Sequence, residues 1–294
     1  MFYRRKIILA LLEKIEVNLE KTRLYKLIFL LSQRQTNPNY DFVPYRFGCY
    51  SYSLKADLNT MVKKGWLSTP ENGYELSTDK KYFDELDSTD KSILLDTIDL
   101  YGKMSVDAIT KHTYLNFPYF AINSTIAESI LPEKYFEKVK SAKPLNSEIV
   151  LYTIGYEGIS LEAYLNKLIK NDIKLLIDVR RNPLSQKYGF SKKLLSDFCT
   201  RLNIDYIHIP EVGIDSSKRR ELNSQDDYDA LFEDYKNTVL LETAEAQDRI
   251  LQLINKHKRV ALTCFEADNC QCHRTHLAEK IEKSPTFKYH IKHL

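Results

Sequence analysis

Residues 259–283 read RVALTCFEADNCQCHRTHLAEKIEK. Residues 260–265 form a β-rich run, and within 274–283 the residues Leu277, Ala278 and Ile281 are spaced for one helical face. The pattern predicts a strand, a short polar loop and a helix. Cys264, Glu266, Cys270, Cys272, His273 and Arg274 are gathered between or at the ends of these elements. A loop that leaves the carboxyl end of a strand and enters the amino end of a helix collects N–H groups and a partial positive dipole. Such a loop suits an anionic ligand.

Working upstream, the same alternation recurs. Strands are expected at 149–154, 174–179 and 205–209, with helices at 161–170 and 191–202 and two more within 226–256. Residues 174–179, KLLIDV, are nearly all apolar, as in a strand buried on both faces. Four strands joined by helical crossovers imply a parallel α/β sheet, Rossmann-like, with helices on both faces. Ligands of such sheets sit outside the carboxyl ends of the strands. That rule brings three loops to one edge: Gly155-Tyr156-Glu157-Gly158, then Asp178 through Ser185, then Cys264 through Arg274. Their glycines fit neither G-x-G-x-x-G nor a Walker A loop, so neither an ordinary dinucleotide site nor a P-loop is supported.

Within these loops Gly155, Tyr156, Arg180, Ser185, His273 and Arg274 are the expected ligand-binding residues. Arg180 and Arg274 suit bidentate contact with phosphate or carboxylate, and pairing with Asp178 and Glu266 is the competing use. Asp178, Glu266 and Cys272 are the expected catalytic groups. The two carboxylates are candidate acid and base at strand ends, and Cys272 lies beside His273 and Arg274 near a helix start, surroundings that favour a thiolate. Cys264, Cys270, Cys272 and His273 have metal-ligand chemistry, but C-x5-C-x-C-H is not a usual zinc spacing. No metal and no cofactor are expected.

The first half of the chain is different in kind. Amphipathic helices are expected over 3–16, 21–33 and 53–64, the last capped by Ser53 and Gly65. Residues 42–50 are aromatic and extended, and 66–77 form two short strands around an Asn72-Gly73 turn. Further helices follow over 90–100 and 106–113, with two short ones in 126–139. The polar, proline-bearing stretch 140–147 is the expected linker, giving a mainly helical domain over 1–142 and an α/β domain over 148–294. Residues 1–65 carry 12 Lys or Arg against 5 Asp or Glu, a balance of +7 within a whole-chain net of +3. This basic front suits phosphate contacts or a solvated surface, and Lys55, Lys63 and Lys64 are the expected nucleic-acid contacts.

Composition sets looser bounds. At 294 residues and 43% apolar content the chain has enough length and apolar material for two cores. The basic start MFYRRK is followed by an apolar run broken by Glu13, Lys14 and Glu16, unlike a secretory signal. Five cysteines, an odd number, fit a reducing compartment, and a cytoplasmic protein with no membrane span is expected.

Two resemblances add to this reading. YTIGYEG (152–158), LLIDVRRNPLSQ (175–186), IDYIHIPEVG (204–213) and CFEADNCQCHR (264–274), in that order, resemble the domain of unknown function 488 family. That resemblance implies the fold and the site edge, with no settled reaction. The chain departs from the family pattern at Glu211-Val212-Gly213-Ile214, which has one glycine where the family often has a pair, and this leaves open the ligand-facing role of loop 216–220. The segment LNTMVKKGWLSTPENGYELS (58–77) looks like the last helix and wing of a winged helix-turn-helix. With LYKLIFLLSQ (24–33), FVPYRFGCYSYSLKADL (42–58) and DAITKHTYLNFPYF (107–120), residues 1 to about 125 resemble the Panacea family of bacterial regulators and antitoxins. Two function classes follow. One is an enzyme acting on a nucleotide or nucleic acid. The other is a DNA-binding regulator whose crevice binds a small phosphate-bearing anion and catalyses nothing.

Overall fold

The computed structural model describes residues 1–15, 18–215, 218, 222 and 224–294. The chain divides into two compact units, Met1–Lys143 and Pro144–Leu294. Except for Lys218, the loop 216–220 lies outside the described residues.

The first unit is built on α1 (Tyr3–Ile15), β1 (Leu19–Glu20) and α2 (Lys21–Ser32). In α2 the periodic residues Leu24, Leu27, Ile28 and Leu31 are buried, and Phe29 and Leu30 are buried with them. It is therefore the central helix of that core. Removing one such side chain, as in Leu27→Ala, costs about 2–5 kcal/mol. The aromatic stretch folds as a hairpin, β2 (Val43–Tyr45) and β3 (Gly48–Tyr50), in which Gly48 takes a φ of 90°. Helix α3 (Tyr52–Lys63) follows, and its cap is Ser51, whose side chain accepts from the Leu54 amide, rather than Ser53. β4 (Leu67–Ser68) and β5 (Gly73–Leu76) pair, and β1 joins them in the order β1-β5-β4. Their turn sits at Glu71-Asn72, with Glu71 at φ 47°, so Gly73 already belongs to the strand. Helices α4 (Ser88–Tyr101), α5 (Val106–Asn116), α6 (Ala127–Ile130) and α7 (Glu133–Ser141) complete the unit.

Much of the basic character at the front is used internally. Asp57, 1% exposed, accepts from Arg4 Nε at 2.5 Å, Arg5 Nε at 2.6 Å and the Tyr40 hydroxyl at 2.9 Å. Lys6 pairs with Glu85 and Arg34 with Asp96. Lys26 is buried, donating to the Phe47 carbonyl.

The second unit is the α/β sheet. Its elements are β6 (Val150–Gly155), α8 (Leu161–Lys170), β7 (Leu175–Asp178), α9 (Lys192–Arg201), β8 (Asp205–His208), α10 (Gln225–Asn237), α11 (Val239–Glu242), α12 (Ala244–His257), β9 (Arg259–Cys264), α13 (His273–Glu282) and β10 (His290–His293). All five strands are parallel, in the order β10-β6-β9-β7-β8. Strands β6, β7 and β9 are buried along their whole length, as their mainly apolar composition requires, with Thr153, Asp178, Arg259 and Thr263 buried among them. Leu151, Leu175, Ile177, Val260 and Leu262 pack with apolar residues of α10, α12 and α13. At an intervening position of β9, Thr263 meets α8 through the Tyr164 hydroxyl at 2.8 Å. Helices thus cover the sheet, and its register is fixed by which side chains each layer buries.

The fifth strand, β10, is absent from the sequence-based expectation. Its residues are His, Ile, Lys and His, mostly exposed at an edge, with neither apolar run nor clear alternation. No helix among the described residues is long and apolar enough to cross a membrane.

Candidate functional site

Strand register aligns the three predicted loops. Gly155 is the partner of Cys264, and Asp178 is the partner of both Thr263 and His208. Because β9 lies between β6 and β7, the chain turns back across the sheet here, which opens a crevice at the carboxyl ends of these strands. Glycine at 155 is a close-packing requirement. A Cβ there would fall on the Glu266 carbonyl oxygen, and one on Gly213 would press on the Arg181 amide. The first and third loops are joined by backbone: the Tyr156 and Glu157 amides donate to the Phe265 carbonyl at 3.1 and 2.9 Å.

A cavity of about 280 Å³ lies at this edge, and Tyr156, Arg180, Arg181, Ser185, Cys264 and His273 are among its lining residues. Arg180 is held by Asp178 through two parallel bonds and donates Nη1–H to the Tyr156 hydroxyl at 2.7 Å. Tyr156 stacks on Phe190, with ring centroids 4.2 Å apart. Burial alone disfavours a charged guanidinium, but hydrogen bonds to Asp178 and its charge outweigh that and raise the Arg180 pKa.

Asp178 is fully buried and makes a structural anchor, since its Oδ2 also accepts from Tyr206 at 2.6 Å and its Oδ1 from the Arg180 amide. The free acid or base expected at this position is thus replaced by a neutralised pair. Arg274 also differs from its expected use. It is fully buried and donates to the Glu266 carbonyl at 2.6 Å, the Ala267 carbonyl at 3.3 Å and Asn269 Oδ1 at 2.9 Å, tying the loop to α13. Its two Nη groups are committed to the loop, and the crevice is lined by Arg180 and Arg181 instead.

Cys272 is the N-cap residue of α13, and its thiol donates to Glu266 Oε2 at 3.0 Å. The chain thereby supplies its own carboxylate beside the helix amino end, where an external anion was expected. Burial, the hydrogen bond with Cys264 and the charge of Glu266 raise the Cys272 pKa, the reverse of the thiolate expected from its neighbours. Cys264 and His273 approach to 3.6 Å, Sγ to Nδ1, and Cys272 Sγ lies 4.0 Å from the same nitrogen. The ligand-type atoms of Cys264, Glu266, Cys272 and His273 all lie within 4.8 Å of one another. Cys270, the remaining cysteine of this stretch, is exposed.

Several residues that line the crevice lie outside the set expected from sequence. Arg181 and Asn182 follow Arg180 directly and line the crevice, while Ile214 and Phe265 supply apolar wall. Arg180 is buried and Arg181 exposed, yet both line the crevice just beyond the end of β7. Lys187 donates to the Tyr156 carbonyl at 2.6 Å, and partial burial lowers its pKa. His208 lies 2.8 Å from the Arg180 carbonyl through Nε2.

In the first unit, Lys55, Lys63 and Lys64 are all exposed. Lys55 borders a second cavity of about 220 Å³, together with Lys21, Tyr25, Tyr45, Phe47 and Tyr50. Lys64 instead lies over the Trp66 ring at 5.0 Å.

Residues 160–281 match the family model described as Domain of unknown function DUF488. The match lies within the second unit and covers α8 through most of α13; the winged-helix and Panacea resemblance of the first unit is not part of it. No curated protein matches the chain.

Proposed function

We propose that the chain is a nucleotide- or nucleic-acid-processing enzyme whose α/β crevice takes a phosphate-bearing group. The observation that carries this reading is the placement of Arg180, Arg181, Asn182 and Ser185 around one cavity at the carboxyl edge of the sheet, with Cys264 and His273 also lining it. Guanidinium, amide and hydroxyl donors suit phosphate oxygens, and a charge-assisted bond to such a ligand is worth about 1.5–3 kcal/mol. Arg180 is oriented before any ligand arrives, because Asp178 and Tyr156 hold three of its N–H groups.

The first unit supports a polymeric substrate. Its cavity combines Lys21 and Lys55 with the faces and edges of Tyr25, Tyr45, Phe47 and Tyr50, a mixture suited to phosphates and stacked bases. A winged-helix-like role for α3 and the β4–β5 hairpin belongs to the same reading, with Lys55, Lys63 and Lys64 as phosphate contacts.

The alternative, a non-catalytic ligand-responsive regulator, draws on the pairing of Asp178 with Arg180 and its hydrogen bond from Tyr206. Product analysis separates the two. Full-length protein is incubated with mononucleotides and single-stranded oligonucleotides, with and without zinc, and the products are resolved by mass. A new product that is absent with Arg181→Ala supports the enzyme. Saturable binding with unchanged substrate supports the regulator, and neither binding nor product removes both.

A further inference from the structure

We propose that Cys264, Glu266, Cys272 and His273 form a binding site for one divalent transition metal of the zinc class. Zinc bonded to sulfur at about 2.3 Å and to nitrogen or oxygen at about 2.0–2.2 Å places its tetrahedral ligands about 3.3–3.8 Å apart. The separations of 3.0 Å between Cys272 Sγ and Glu266 Oε2, 3.6 Å between Cys264 Sγ and His273 Nδ1, and 4.0 Å between Cys272 Sγ and His273 Nδ1 bracket that range. All four ligand atoms fall within 4.8 Å of one another, so small side-chain adjustments close the shell.

The imidazole carries an independent sign. His273 Nε2 lies 3.1 Å from the Val179 carbonyl oxygen. A carbonyl only accepts, so Nε2 holds the hydrogen. In the neutral ring Nδ1 then presents its lone pair towards the two sulfurs. A metal-ligating histidine is commonly oriented in this way by a backbone carbonyl. The fold supplies the remaining geometry. Cys264 ends β9, Glu266 follows two residues later, and Cys272 and His273 open α13, with Arg274 fastening the intervening loop at three points.

Two sulfurs and an imidazole select zinc-class ions over magnesium or calcium, which prefer shells of oxygen. Binding replaces each thiol proton by a metal–sulfur bond, so one ion entering two thiols releases two protons to solvent. No oxidation is involved. The ligand set differs from the cysteine-rich spacing visible in sequence: Glu266 takes the place of Cys270, which is exposed. Cys264 and His273 also line the crevice, so a bound ion lies at its wall. The site itself does not depend on the crevice binding phosphate.

The test uses full-length protein stripped of metal and titrated with cobalt(II) in phosphate-free buffer. One cobalt per chain is expected, with ligand-field bands of tetrahedral type and a charge-transfer band whose intensity corresponds to two thiolates. Cys264→Ser and Cys272→Ser should each remove about half of that band, His273→Ala should weaken cobalt at least tenfold, and Cys270→Ser should change nothing. Absence of a thiolate band, an intensity of one or three thiolates, or a response to Cys270→Ser would overturn the proposal. The parent spectrum decides this even where a variant fails to fold, and phosphate binding plays no part in it.

Discussion

Arg180 grips Asp178 through two parallel hydrogen bonds, Nε to Oδ1 at 2.8 Å and Nη2 to Oδ2 at 2.5 Å, with Asp178 fully buried and Arg180 6% exposed. The pair turns a costly carboxylate at the end of β7 into the support for a cation at the crevice wall. Removing one member leaves the other charge buried and uncompensated, which costs about 3–5 kcal/mol. Asp178→Asn and Arg180→Gln should each show that loss in urea unfolding of the full chain. The double variant should lose clearly less than their sum. Additive losses would show that the two side chains are not energetically coupled.

Tyr206 gives the same pair a pH signature. Its hydroxyl donates to Asp178 Oδ2 at 2.6 Å, and burial followed by the Asp178 charge raises its pKa above the ordinary 10.0. A phenol whose pKa is raised by folding binds its proton more tightly when folded. Its contribution is therefore fully present below pH 10 and is lost as pH rises towards the folded value. Tyr206→Phe should cost about 1.5–3 kcal/mol at neutral pH. The difference from the parent protein should shrink above pH 10. A gap that widens with alkali would contradict this.

Gly155 is the tightest point of the site. Gly155→Ala places a methyl group on the Glu266 carbonyl, which is itself held by Arg274. Backbone rather than a flexible side chain has to yield, so a loss of about 1–3 kcal/mol is expected, with weaker cobalt binding as a second readout. An unchanged melting temperature would mean that the loop moves freely.

For the first unit, labelled single-stranded oligonucleotides titrated at rising salt provide the measurement. Affinity carried by phosphate neutralisation falls steeply with salt. Lys55→Ala should flatten that slope, and Tyr50→Ala should weaken binding by about 1–3 kcal/mol if bases stack there. Binding that is indifferent to salt and to both substitutions would exclude the cavity containing Lys55 as the contact.

The parts of the fold legible in sequence are those with long, uniform signals. KLLIDV and RVALTC are dominated by apolar residues, with their charged groups only near the ends, and supply the buried strands β7 and β9, whereas the edge strand HIKH carries no comparable signal. The location of the site is legible because three polar loops each follow a strand. Its internal wiring is not, because spacing alone does not say where a long side chain points. Arg274 bonds its own loop, and Asp178 is paired with Arg180 and hydrogen-bonded by Tyr206. Similarly, C-x5-C-x-C-H hides the fact that Cys270 faces solvent while Glu266 reaches Cys272. The seven-charge excess at the front conceals Asp57, which sits among the helical residues of α3 yet engages Arg4 and Arg5.

The central claim is that the crevice at the ends of β6, β7 and β9 binds a phosphate group through Arg181 and its neighbours. Calorimetric titration of the full chain with inorganic phosphate and with nucleoside mono-, di- and triphosphates measures it directly. One saturable site per chain is predicted, weakened at least tenfold by Arg181→Ala and again by adding Ser185→Ala, with melting temperatures of the unliganded variants unchanged. Undetectable heat for every phosphate, or binding that survives both substitutions intact, would contradict it.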